Sequence, residues 1–240
     1  MKTLFEKRLA HIFLIILLGL LVYSNTLKAS FQFDDRFYII DNPVIKDINL
    51  FRKPMKPLEI NLPVEPIRNL FKSRFISFLS LALNYKMHGL DVTGYHIFNL
   101  SIHILNALLV YWLMRLTLRI QDIGCTIPDK ENRKSGIMNQ ASWIAFFSAL
   151  LFVVHPVQTQ AVTYIWQRTT SLATFFYFLS LVMYIEFRTA AQRSNRASRS
   201  TILGRYCSTG LLLYCSSLLS AILAMLTKEI AFTLPVIIVL

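Results

Sequence analysis

The stretch YHIFNLSIHILNALLVYWLMRLTL, residues Tyr95–Leu118, decides the fold. A helix that crosses the hydrocarbon core of a bilayer needs about 20 mainly apolar residues, and this stretch is long enough. Polar side chains recur within it in steps of three and four, which place them on one helix face: His96, Asn99, His103 and Asn106. Because polar groups at membrane depth need partners, we predict a span whose polar face meets protein.

Other apolar stretches surround this span. They lie near residues 9–27, 140–154, 160–187 and 206–226, and a further one begins at residues 230–240. With 55% hydrophobic residues and a mean hydropathy of +0.50, the 240-residue chain is too apolar for an ordinary soluble domain. The sequence therefore predicts an all-α polytopic membrane protein. Because the last stretch is cut by the chain end, we expect the chain to be part of a longer protein.

The distribution of charge sets the expected orientation. The formal net charge is +12, and basic residues concentrate in the ranges Met1–Arg8, Arg115–Lys134 and Arg188–Arg205. These ranges alternate with the apolar spans, as cytoplasmic loops do, which argues against a nucleic-acid-binding protein. We predict a cytoplasmic N-terminus and a long first extracytoplasmic loop at residues 30–93.

The long loop contains an amphipathic segment of its own. Its middle is rich in proline, which disfavours regular structure, whereas Phe71–Met87 has helical periodicity. The segment is too short to span the bilayer, so we predict an interfacial helix on the outer leaflet. Phe75 and Phe78 are expected to face lipid, and Ser77 and Asn84 to face the loop.

Two adjacent carboxylates, Asp34 and Asp35, follow the first span in the phrase FQFDDR. Carboxylates are costly near lipid, so a pair at the membrane boundary points to a function. Further charged and polar residues fall at the same predicted boundary: His155, Arg168, Lys228 and Glu229. Acids and bases gathered there fit chemistry on a lipid-linked anion.

Simpler interpretations stand beside this one. Arg168 is suited to binding phosphate, but an arginine there also fits one that reaches the headgroups or pairs with an acid. Lys228 and Glu229 fit a solvated pair at a helix end. The polar stripe fits hydrogen bonds between helices, or a substrate cavity lined by His96 and Asn99. Two histidines of the stripe lie about 10 Å apart along the helix axis, too far to share a metal without other ligands.

The residues that carry a family resemblance occur in order along nearly the whole chain: Asp34-Asp35, Asn42-Pro43, Leu83–Lys86, Gly89-Leu90, Gly94–His96, Asn99, His103, Asn106-Ala107, His155–Val162, Gln167-Arg168 and Lys228-Glu229. This ordered set resembles the transmembrane-and-TPR O-mannosyltransferase-like family. The resemblance implies the N-terminal membrane portion of a GT-C-like helical bundle, at residues 1–240. Further spans and the C-terminal TPR repeats of such proteins are absent from this sequence.

The family resemblance also implies an activity. Such enzymes move a sugar, here with mannose expected, from a polyprenyl-phosphate donor to an acceptor hydroxyl on protein or glycan, at the extracytoplasmic face of the plasma or endoplasmic reticulum membrane. It implies catalytic roles for Asp34 and Asp35. It implies that the donor phosphate is bound by Arg168, Lys228 and His155. It also implies that a substrate cavity is lined by His96, Asn99, Gln160 and Glu229. No metal is expected to be required, because cations of the chain can meet a monophosphate, although a divalent ion beside the two aspartates is an alternative.

Two other function classes compete with the enzyme. A transporter of lipid or solute also places polar groups between helices, and it predicts broken helices near the bilayer midplane together with an inverted repeat. A non-catalytic membrane scaffold or a truncated fragment is the other rival. Spans and repeats encoded after Leu240 favour the enzyme.

Overall fold

The computed structural model describes residues 2–52, 65–124, 131–196 and 203–239, and these residues form helices and turns without a strand. Parts of the long loop and of two basic loops therefore lie outside the described residues. The all-α prediction is confirmed for the rest. The helices are α1 (Lys2–Val22), α2 (Pro43–Lys46), α3 (Glu65–Ser73), α4 (Phe75–His88), α5 (Val92–Gly124), α6 (Glu131–Val154), α7 (Thr159–Thr163), α8 (Arg168–Arg196), α9 (Leu203–Met225) and α10 (Leu234–Val239).

Helix α5 lies at the centre of the bundle and packs against α1, α6 and α8. Its polar stripe binds backbone carbonyl groups of neighbouring segments. His103 Nε2 lies 3.1 Å from the carbonyl oxygen of Val153, and Asn106 Nδ2 donates to that of Ser171 at 2.9 Å. The stripe therefore joins α5 to α6 and α8 through hydrogen bonds, as the simpler of its two interpretations states.

Small residues let the helices approach closely. A Cβ atom at Gly19 of α1 would lie 2.9 Å from a side-chain atom of Ile104 and 3.2 Å from one of Val153. Between α8 and α9, Ser180 and Ser217 each donate to the other's backbone carbonyl, at 2.9 and 3.0 Å. Both contacts are typical of helices that pack in a membrane.

Two helical segments of the described residues, Val92–Leu118 and Ile165–Gln192, are long and apolar enough to cross a membrane. A third span results if Gln140–Val154 and Pro156–Thr163, which meet at 51°, are counted as one. The structure divides the stretch predicted at residues 160–187, because α7 ends before a 3-10 turn at Ile165–Gln167 and α8 begins after it.

The helix formed by the first apolar stretch ends earlier than that stretch does. The apolar run was expected at residues 9–27, but α1 ends at Val22 and a 3-10 turn follows at Ser24–Lys28. Ser24 and Thr26 donate to backbone carbonyl groups three residues earlier. Such short polar side chains compete with the helical hydrogen bonds, which explains why the helix stops within an apolar run.

The loop helix differs more strongly from the prediction. The expected single helix is divided at Arg74 into α3 and α4. Phe78 is fully buried and its ring centroid lies 5.6 Å from that of Trp166, so the expectation that Phe78 faces lipid is wrong. Ser77 and Asn84 are also buried. Ser77 donates to the carbonyl oxygen of Thr227, just after α9, and Asn84 accepts from Arg168 of α8, so neither faces the loop. Periodicity shows that a helix has two faces but not what each face packs against.

Orientation is open to a direct test. Because charge bias sets topology, we expect impermeant thiol reagents to label a cysteine at Ser73 from outside and to leave one at Ser194 unlabelled. The background variant carries serine at Cys125, Cys207 and Cys215. Both sites should be labelled after the membrane is permeabilised. The reverse pattern in intact cells would place the long loop in the cytoplasm.

Candidate active site

The adjacent aspartates Asp34 and Asp35 lie in a tight turn that begins at Gln32. The backbone N–H of Asp35 donates to the carbonyl oxygen of Gln32 at 2.9 Å, and the side chain of Asp35 accepts from the N–H of Gln32 at 3.0 Å. Phe33, within the turn, has φ 48°, a left-handed conformation that is uncommon for a residue with a side chain. The turn directs Asp35 into the protein and leaves Asp34 at the surface.

Asp35 is a buried structural carboxylate. It is 0% exposed, and its second oxygen accepts from the backbone N–H of Trp166 at 2.8 Å. Burial raises the pKa of Asp35 above its usual range, while hydrogen bonds from the N–H groups of Gln32 and Trp166 oppose that rise. Both oxygens are therefore occupied, and Asp35 fixes the loop against the turn before α8.

Asp34 is the accessible member of the pair. Its Oδ2 accepts a hydrogen bond of 3.1 Å from the hydroxyl of Tyr164, 130 residues later in the chain. Its Oδ1 accepts no hydrogen bond from the described residues. A carboxylate that is held by one oxygen and open at the other can take a proton from an incoming hydroxyl group. The sequence alone does not mark Tyr164 as a site residue, because no local pattern connects positions so far apart.

A cluster of aromatic side chains packs against this turn. The ring of Trp166 stacks on Tyr38 with centroids 4.0 Å apart and planes 7° apart. Phe78 meets the same indole edge-on, and Phe33 meets Tyr164 at 5.9 Å. Rings packed in this way restrict one another. They therefore hold the backbone that carries Asp34 and Tyr164 in position.

Arg168, predicted to bind phosphate, lies inside the protein. It is 0% exposed, and its guanidinium donates to the side-chain oxygens of Asn99 at 2.7 Å and Asn84 at 2.8 Å. It also donates to the backbone carbonyl groups of Tyr95 at 3.1 Å and Ser80 at 3.4 Å. The planar group thus joins α8 to α4 and α5. Because Arg168 is fully buried among these partners, a phosphate reaches it only if the surrounding helices move.

His96 and Asn99, predicted to line a cavity, are likewise fully buried. The two ring nitrogens of His96 lie 2.8 Å and 3.2 Å from the carbonyl oxygens of Ala29 and Val162. Asn99 binds Arg168 through its oxygen and the carbonyl group of Ile165 through its nitrogen. In this structure both side chains hold segments together rather than face open space.

Lys228 and Glu229 lie where α9 ends against α4. The ammonium group of Lys228 donates to the hydroxyl of Thr170 at 2.6 Å, and Glu229 pairs with Arg74 at 3.1 Å. Burial lowers the pKa of Lys228, and the positive charge of Arg74 lowers it further. Glu229 is bound by Arg74, and within the described ranges no hydrogen bond or ion pair joins Lys228 to a carboxylate. Its remaining N–H groups are available to an anion.

His155 and Gln160 are exposed at the bend between α6 and α8. His155 Nδ1 accepts from the backbone N–H of Val157 at 3.2 Å, which caps the turn that Pro156 begins. The structure brings together Asp34 with Tyr164, Lys228 with Thr170, and Asp35 with Trp166. Among the residues it describes, no hydrogen bond or ion pair links His155 or Gln160 to Asp34 or Lys228.

The sequence offers a divalent ion beside the two aspartates as an alternative. The turn aims their carboxylates in different directions, and both oxygens of Asp35 already accept backbone hydrogen bonds. In the described portions of the chain, no three histidine, cysteine, aspartate or glutamate residues are grouped so as to hold an ion. A metal at Asp34 would therefore need ligands other than the histidine, cysteine, aspartate and glutamate side chains that the structure describes.

Comparison with known proteins gives this arrangement a family context. The chain is 29% identical over 188 residues to a protein O-mannosyl-transferase of Caenorhabditis elegans, a match that covers 76% of this chain and 24% of that protein. It is 29% identical over 187 residues to protein O-mannosyl-transferase Tmtc3 of Drosophila melanogaster, covering 75% and 19% of the two chains. The chain is a distant homologue of these proteins.

The homology extends to other relatives of the same description. Protein O-mannosyl-transferase TMTC2 of Mus musculus is 27% identical over 217 residues, which cover 84% of this chain and 21% of the mouse protein. The chain spans about a quarter or less of the length of these curated relatives. No family model and no solved structure matches it. The resemblance read from the sequence motifs is confirmed, and it points to a family of membrane glycosyltransferases.

Proposed function

We propose that this chain forms part of an integral-membrane glycosyltransferase that moves a sugar, with mannose expected, from a polyprenyl-phosphate donor to a hydroxyl group on protein. The observation that carries the proposal is the exposed carboxylate of Asp34, held by Tyr164 on a rigid aromatic base. The homologues' description as protein O-mannosyl-transferases supports the reaction class. We place the site at the extracytoplasmic face, in accordance with the charge bias.

In the proposed reaction, Asp34 is the general base. Its open oxygen takes the proton of the acceptor hydroxyl as the acceptor oxygen bonds to the anomeric carbon of the sugar. The bond between that carbon and the phosphate oxygen breaks, and its electron pair leaves with the polyprenyl phosphate. The hydroxyl of Tyr164 fixes the rotamer of Asp34, so that the open oxygen faces the acceptor.

The leaving phosphate gains negative charge and needs a cation. Lys228 is the best candidate, because its ammonium group is half-buried and bound only to the Thr170 hydroxyl among the described residues. His155 is exposed at the same end of the bundle and is the second candidate. Arg168 contributes indirectly, because it holds together the helices that carry Thr170 and Tyr95.

The contact between Tyr164 and Asp34 gives a first test. Tyr164→Phe removes one hydrogen bond to a carboxylate, and such a bond is worth roughly 1.5–3 kcal/mol. We expect sugar transfer by the full-length protein to fall by about tenfold or more. Tyr177→Phe, which removes an exposed hydroxyl bonded to Thr233, is the matched control. Unchanged transfer by Tyr164→Phe would show that the hydroxyl does not position Asp34.

The lowered pKa of Lys228 gives a second test. Only the protonated amine stabilises the leaving phosphate, and burial together with Arg74 makes Lys228 lose its proton at a lower pH than an exposed lysine does. Transfer should therefore decline on the alkaline side. Lys228→Arg keeps its charge because arginine titrates above about pH 12, so its decline should move to higher pH. Superimposable pH profiles for the two proteins would exclude Lys228 as the titrating group.

A further inference from the structure

A groove of about 540 Å³ lies in the half of the bundle away from Asp34 and Tyr164. It runs between the early part of α1 and the later parts of α5 and α8, and residues Arg8, Arg115 and Glu186 mark its polar portion. Its volume falls within the roughly 300–1,000 Å³ range of ligand sites in proteins. None of these residues takes part in the proposed transfer reaction.

The rest of the groove is apolar. It is lined mainly by aliphatic and aromatic side chains of three helices: Ile12, Leu105, Leu108, Leu109, Leu116 and Phe175. Leu105 is 45% exposed, so the groove opens sideways toward the surroundings of the bundle. In a bilayer, those surroundings are lipid chains. A linear hydrocarbon chain fits such a surface, whereas a polar metabolite does not.

The two arginines give the groove a charged end. Arg8 lies near the start of α1, and Arg115 lies late in α5, where its guanidinium sits 5.4 Å from the ring centroid of Tyr111. Glu186 accepts a hydrogen bond of 3.3 Å from the indole N–H of Trp112, which fixes the opposite wall. Arg8 and Arg115 carry N–H donors that suit the oxygens of a phosphate, and Glu186 is the one acid among the described lining residues. Arginine donors beside an apolar channel are complementary to a phosphate that carries an acyl chain.

We propose that this groove is a binding site for a glycerophospholipid, with one acyl chain along α5 and the phosphate at Arg8 and Arg115. Basic pockets between membrane helices on the cytoplasmic side are known to hold anionic lipid headgroups. The predicted orientation places this end of the bundle in that leaflet. The site is distinct from the donor site, because the candidate catalytic carboxylate lies at the opposite end of α5. A bound lipid would join α1 to α5 and α8.

The test measures lipid retention by the purified chain. Protein in detergent is mixed with phosphatidylglycerol or with diacylglycerol of the same acyl chains, and bound lipid is counted by native mass spectrometry. The two lipids differ in the headgroup that carries the phosphate. We expect phosphatidylglycerol to bind and diacylglycerol to bind at least about tenfold more weakly, because a charge-assisted contact is lost.

Variants locate the site. Arg8→Gln with Arg115→Gln should weaken binding of phosphatidylglycerol by about tenfold or more. Lys7→Gln and Arg188→Gln remove exposed cations outside the groove, so they should leave binding unchanged. Leu105→Trp should obstruct the apolar channel without removing charge. Ile97→Trp, on the same helix and also exposed, serves as its control.

Three results would overturn the proposal. One is equal retention of diacylglycerol and phosphatidylglycerol, which would show that the phosphate is not recognised. Another is unchanged binding in both the arginine double variant and Leu105→Trp. The third is loss of phosphatidylglycerol binding when the full-length protein replaces this chain, since a further helix would then occupy the groove. None of these outcomes depends on the transfer reaction.

Discussion

Asp34→Asn is expected to lower sugar transfer by at least about 100-fold, with the protein still folded and inserted. The substitution keeps the size of the side chain and its hydrogen bond with Tyr164, but an amide cannot accept the acceptor's proton. General base catalysis contributes roughly 100- to 10,000-fold. The measurement is transfer by the full-length protein, normalised to the amount in the membrane. Transfer close to that of the parent would reject Asp34 as the base.

Asp35→Asn separates catalysis from folding at the neighbouring position. Both oxygens of Asp35 accept from backbone N–H groups, of Gln32 and Trp166. An amide can satisfy only one of them, and a buried unsatisfied donor costs about 1–3 kcal/mol. We expect a lower yield of folded protein and a far smaller loss of transfer per folded molecule. Asp41→Asn, at an exposed carboxylate paired with Arg36, is the control for charge alone.

If Asp35→Asn abolishes transfer in protein that remains folded, the roles of the two aspartates must be exchanged. That result would require Asp35 to become accessible when donor or acceptor binds. The structure argues for the first assignment, because Asp34 is exposed and Asp35 is 0% exposed.

Arg168→Ala should destabilise the bundle. It leaves the side-chain oxygens of Asn84 and Asn99 buried without their donor. At about 1–3 kcal/mol for each such group, the loss is roughly 2–6 kcal/mol. Arg168→Lys should rescue little, because one ammonium group cannot reproduce the planar fork. The measurement is the fraction of protein that stays monodisperse after heating in detergent.

Arg188→Ala is the control for Arg168, since Arg188 is exposed on the same helix. It should change heat resistance little. The contrary outcome is also informative. If Arg168→Ala resists heat as the parent does but uses the polyprenyl-phosphate donor poorly, Arg168 binds phosphate directly, as the sequence predicted, and the contacts described above are replaced during the reaction.

The sequence predicted most helices because apolar length and periodicity are local properties. The sequence also predicted the polar stripe on α5, since spacing alone places His103 and Asn106 on one helix face. The sequence could not predict the hydrogen-bond partners of the stripe, because those are backbone carbonyl groups of α6 and α8. Any residue can supply a carbonyl group, so no side-chain pattern identifies it.

The site was predicted only in part for a related reason. The aspartate pair was recognised, but its division into a buried and an exposed carboxylate depends on the left-handed turn at Phe33. A turn at a residue other than glycine gives little signal in sequence. The contact of Asp34 with Tyr164 depends on how the break before α8 packs against the loop. Charge suggested that Arg168 binds phosphate, but burial among Asn84, Asn99 and Tyr95 gives it a structural role.

The most direct test of the proposed function is a transfer assay on membranes that contain the full-length protein. The membranes are incubated with polyprenyl-phosphate mannose whose mannose carries the label. Label on protein is then released by β-elimination, which cleaves sugars from serine and threonine hydroxyls. We predict label on protein with the parent and at least about 100-fold less with Asp34→Asn. Equal labelling of protein in membranes with and without the parent, when its amount and folding are verified, would contradict the assignment as a glycosyltransferase.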